Sequence, residues 1–73
     1  MSVEKLDKRF GVVAVEKGFI TAEQLIEAMK IQIREEIENS KHRLIGEILR
    51  DKGYLTKALV QEVLESMGIS QGI

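Results

Sequence analysis

The stretch Gly18-Phe19-Ile20-Thr21-Ala22-Glu23-Gln24-Leu25 is written a second time, with changes, as Gly53-Tyr54-Leu55-Thr56-Lys57-Ala58-Leu59-Val60. The interval from Gly18 to Gly53 is 35 positions. Shifted by that interval, Gly11 falls on Gly46, Lys17 on Lys52, and Glu27 on Glu62. Apolar positions follow: Phe10 matches Ile45, Val13 matches Ile48, and Met29 matches Leu64. Repetition at a fixed period means one structural unit used twice. Here the units cover 10–32 and 45–67.

The repeated phrase has the chemistry of a corner between two helices. Glycine ends a helix well because it takes the left-handed conformation without a Cβ clash. The apolar pair after it, Phe19-Ile20 or Tyr54-Leu55, can fold back under the turn. Threonine then suits an N-cap, its hydroxyl accepting from an unpartnered backbone N–H. Thr21 with Gln24 makes a capping box, while Thr56 with Leu59 keeps only the cap.

The flanking residues extend the pattern. Val3, Leu6, Phe10, Val13 and Lys17 step by three or four along one helix face, with the stem of Lys17 closing its end. Ala22, Leu25, Ile26, Met29, Ile33 and Ile37 form the stripe expected to face the core from the next helix. That helix is predicted to run to about Glu38, with Asn39-Ser40 as its stop. In the second unit Ile48, Leu49 and Lys52 precede the corner. Val60, Val63, Leu64 and Met67 follow it, and Gly68 ends the pattern. Val12-Val13-Ala14-Val15 is the one β-branched run, and its flanks favour helix. The expected fold is all-α: four helices in two helix-turn-helix hairpins, related by a pseudo-two-fold, in a single domain over 1–73 with a frayed tail over 68–73. Glycine inside a helix costs about 1 kcal/mol relative to alanine. Gly11 and Gly46 are therefore expected where another helix or a ligand approaches closely.

Composition narrows the function. The chain is 44% hydrophobic and 32% charged, which suits a folded domain. Its net charge of −1 gives no general attraction to nucleic acid or anionic lipid. With no cysteine there is neither a disulfide nor a thiolate metal site. No apolar run reaches the length of a membrane span or a signal-peptide core, so no membrane insertion and a cytoplasmic location are expected. No nucleophile and base stand at a motif spacing, and the single histidine, His42, has no clustered ligands around it. No catalytic residue, metal or cofactor is therefore assigned.

Arg9-Phe10-Gly11, then Ala14, Gly18-Phe19-Ile20, Leu25, Met29 and Gln32 form a pattern of their own. It resembles the R-L-G-x-x-L…G-L-I…L…L…Q motif of the N-terminal domain of type II secretion and type IV pilus assembly ATPases. That domain is small, helical and built from two such motifs, and the resemblance covers Arg9 to Met67. In one branch of the family the paired motifs bind cyclic di-GMP. The resemblance implies a ligand set of Arg9, Phe10, Gly11, Gly18, Gln32, Arg43 and Gly46. The second motif departs from the pattern. Leu44 stands at the arginine position, with Arg43 displaced by one residue, and Met67 stands at the glutamine position. No G-x-x-x-x-G-K-[ST] loop is present, so the ATPase core is absent from this sequence.

Three readings of function follow. The preferred one is a non-enzymatic interaction or regulatory module, similar to that N-terminal domain, which binds a protein of a secretion, pilus or signalling assembly or forms a homodimer. The alternative is a cyclic di-GMP sensor, disfavoured because only one half of a two-fold ligand would meet an intact motif. The third is a small helix-turn-helix DNA-binding regulator. Against it, Glu62 and Glu65 on the would-be reading helix repel phosphate. Lys41-His42-Arg43 reads as a solvated basic loop, and Arg34 and Glu38 as a surface i, i+4 pair. Val12, Val15 and Ile31 fall off the main stripes and are expected to form an exposed apolar docking patch.

Overall fold

Each corner glycine closes its helix by the same hydrogen-bond pattern. In the computed structural model, which describes the backbone of residues 3–68 and the side chains of residues 5–68, helix α1 spans Val3–Glu16 and α2 spans Ala22–Asn39. Helix α3 spans Ile45–Asp51 and α4 spans Lys57–Ser66. The fold is all-α, with no strand among the described residues. Gly18 has φ 78° and Gly53 has φ 81°. The Phe19 N–H donates to the Ala14 carbonyl at 3.0 Å and the Gly18 N–H to Val15 at 2.9 Å. The Tyr54 N–H donates to Leu49 and the Gly53 N–H to Arg50, both at 2.9 Å. This nested pair is the Schellman closure, which satisfies carbonyls that the helix itself cannot.

The threonines open the next helices. Thr21 Oγ1 accepts from the Gln24 N–H at 3.1 Å, and Gln24 Oε1 accepts from the Thr21 N–H at 2.9 Å, completing the box. Thr56 Oγ1 accepts from the Leu59 N–H at 3.2 Å. Helix α2 ends at Ser40, which is left-handed with φ 55°. Lys17 is exposed at its corner, with its ammonium 6.0 Å from the Phe19 ring centroid.

Helix α1 touches all three other helices, and the broadest contact lies between α2 and α3. Helix α4 packs on α1, so each second helix meets the first helix of the other half of the chain. The core gathers Phe10, Val13 and Ala14 from α1, Leu25 and Ala28 from α2, Ile45, Ile48 and Leu49 from α3, and Val63 from α4. Ile20 and Leu55, the second apolar residue of each corner, are buried beneath the turns.

Two expectations are corrected here. The stripe assigned to the core on α2 is split. Leu25 is buried and Met29 packs against the core, but Ile26, Ile33 and Ile37 are 50%, 56% and 77% exposed. The line that faces inward is Leu25, Ala28, Gln32 and Glu35, whose lower half is polar. Apolar spacing alone therefore misplaced Ile26, Ile33 and Ile37. The docking patch at Val12, Val15 and Ile31 is also not formed as expected. Val12 is exposed, but Val15 and Ile31 are partly buried and pack against the core. The Val3 side chain and the expected fraying over 69–73 lie outside the described residues.

Candidate functional site

Leu44, the N-cap of α3, has no side-chain acceptor with which to cap a helix. Two carboxylates do the work instead. Glu47 Oε1 accepts from the Leu44 N–H at 2.8 Å, and Asp7 Oδ1, reaching across from α1, accepts from the Ile45 N–H at 2.8 Å. Asp7 Oδ2 also accepts from Gln32 Nε2 at 2.6 Å. The second hydrogen of that amide goes to the Arg43 carbonyl at 2.9 Å. Gln32 thus spends both of its donors inside the chain, tying α1, α2 and the segment before α3 together.

Arg43 is held at its other end. Its guanidinium meets Glu35 with two parallel hydrogen bonds, 2.9 Å from Nε and 2.6 Å from Nη2, and its Nη1 pairs with Asp51. The Arg43 fork holds the Glu35 carboxyl below its ordinary value, and Glu35 in turn raises the guanidinium. Its planar fork suits this bidentate grip. A second cluster clasps α2 to the other corner. Glu27 accepts from the Tyr54 hydroxyl at 2.8 Å and pairs with Lys52 at 2.8 Å. The hydrogen bond from Lys52, then that from Tyr54, lowers the Glu27 carboxyl, and the bond to Glu27 raises the Tyr54 phenol.

The residues expected from the resemblance are placed as follows. Phe10 is buried, with its ring edge 3.1 Å from where a Cβ on Gly46 would stand. Gly11 lies beneath the Leu25 side chain, where no Cβ fits without displacing it. Both helical glycines are therefore close helix contacts. Gly18 is exposed at the α1–α2 corner, with open space where a Cβ would be. Gln32 and Arg43 meet through the hydrogen bond already described. Arg9 is exposed on α1 and joins no hydrogen bond or ion pair with a described residue. Arg34 and Glu38 form no ion pair with each other. Among the described residues no three His, Asp or Glu side chains cluster to hold a metal ion.

Two of the depressions on the surface bear on these residues. One, of about 160 Å³, opens between α3 and α4 over Phe10, Gly46 and Val60. Val60, which stands 35 positions after Leu25, lines it together with Leu64. The other, of about 320 Å³, lies along the outer face of α2 and is lined by Lys30, Ile33, Arg34, Ile37 and Glu38.

No family model, curated protein or solved structure matches this chain. Among the described residues no helix is long and apolar enough to cross a membrane.

Proposed function

We propose that this chain is a non-enzymatic interaction module, akin to the N-terminal domain of the secretion and pilus assembly ATPases, that binds a protein partner. One observation carries the reading: Ile26, Ile33 and Ile37 lie on the outer face of α2 and are each at least half exposed. Single exposed apolar residues are ordinary, but three aligned on one helix face form a strip of the kind that docks a partner.

Cyclic di-GMP sensing is the second reading, and Arg9 favours it: an exposed cation, without a partner among the described residues, on the helix that carries Gly11. The internal bonds of Gln32 and Arg43 weigh against it, since a nucleotide would have to break them. DNA reading has only the helix-turn-helix outline in its favour.

Nuclear magnetic resonance of the isotope-labelled chain separates the first two. Titration with a leucine-rich amphipathic helical peptide is expected to give saturable shifts at Ile26, Ile33 and Ile37. Micromolar cyclic di-GMP is expected to leave Arg9, Gly11 and Gln32 unmoved. The opposite pair of outcomes establishes the sensor.

A further inference from the structure

The outer face of α2 carries a charge pattern that discriminates between occupants, an inference resting on the interaction-module reading above. At about 100° per residue, Ile33, Ile26, Ile37 and Lys30 fall within an arc of roughly 60°. They recur at intervals of four, three and four residues, the seam of a helix pair. Lys30 therefore interrupts an isoleucine seam near its middle, and Arg34 flanks it one turn on. Both cations are exposed, and neither pairs with a described residue.

A second copy fits this face poorly. A parallel pairing that stacks isoleucine on isoleucine also stacks Lys30 on Lys30. An antiparallel pairing that lays Ile26 on Ile37 sets each Lys30 against the other copy's Ile33. It also leaves Lys30 about 1.5 Å of axial rise from the other copy's Arg34, on the same edge. Four cations then crowd the centre of the seam, and like charges brought together count against a pairing.

We infer that the occupant is an amphipathic helix of a different protein, with apolar residues at three- and four-residue spacing and a carboxylate at mid-seam to meet Lys30 and Arg34. Because Lys30 is central, the same carboxylate serves a partner helix running in either direction. The apolar contacts supply most of the affinity, and the charge selects the partner.

The test uses the 73-residue chain and two synthetic helical peptides with leucines at that spacing, one carrying Glu and the other Lys at mid-seam. Resonance shifts at Ile26, Ile33 and Ile37 report binding. The Glu peptide is expected to bind roughly three- to tenfold more tightly at low salt, with the ratio shrinking at high salt. Lys30→Glu is expected to reverse the preference with its helical circular dichroism unchanged. Equal binding of both peptides, indifferent to Lys30→Glu, overturns the charge-selected partner and leaves the interaction module standing. Binding of neither peptide overturns both. A dimer of the chain alone in sedimentation, abolished by Ile33→Asp, overturns the inference in favour of a second copy.

Discussion

Gly53 has open space where a Cβ would stand, so any penalty for a side chain there is conformational. At φ 81° an alanine is strained, and Gly53→Ala is expected to cost about 1 kcal/mol in denaturant unfolding. Asp7 acts by another route. Its carboxylate accepts from the first N–H of α3 and from Gln32, a cap delivered by another helix. Asp7→Ala leaves both donors without it. The expected loss is about 1–2 kcal/mol, with the Ile45 amide exchanging faster in hydrogen exchange. A substitution that lowers stability but leaves Ile45 as protected as before would show that Asp7 does not cap α3.

Helix α2 is where sequence and structure part. Its caps were legible: Thr21 and Gln24 carry a box that needs only local chemistry, and Ser40 closes the helix where a small polar residue was expected. The corners at Gly18 and Gly53 were legible for the same reason. The inward face was not. Periodicity reports which residues are apolar, and on this helix Ile26, Ile33 and Ile37 face outward while Gln32 and Glu35 face inward. Those polar residues are tolerated because Asp7 and Arg43 meet them, and Asp7 is 25 positions from Gln32. No local pattern contains that pairing. The same bonds occupy both amide donors of Gln32 and three of the five guanidinium hydrogens of Arg43, which a ligand at these residues would have to win. The pairing has a consequence for pH. Glu35 and Glu27 have folded values below the ordinary 4.5, so their contribution is complete above that value and is lost as pH falls through the lowered ones. Unfolding followed from pH 6 down to pH 2 is expected to show stability falling below about pH 4.5. Glu35→Gln should flatten part of that slope and leave the Glu27 part.

On the scale of the whole molecule, the question is which apolar residues hold the fold and which are free for a partner. A domain of this length is stable by about 4–11 kcal/mol. Leu49 is completely buried in α3, and α3 lies against both α1 and α2. Leu49→Ala removes packing that nothing nearby can replace, and a loss of about 2–5 kcal/mol is expected, a large share of the total. Ile33 and Ile37 have the same hydrophobic character but over half of their surface in water. Replacing both with glutamate at once should change unfolding stability by less than about 1 kcal/mol, at about 0.5 kcal/mol for each surface site. The double variant should keep its helical signal and lose peptide binding at α2. If it unfolds as readily as Leu49→Ala, the outer face of α2 is part of the core, and the partner assigned to it has no surface left to hold.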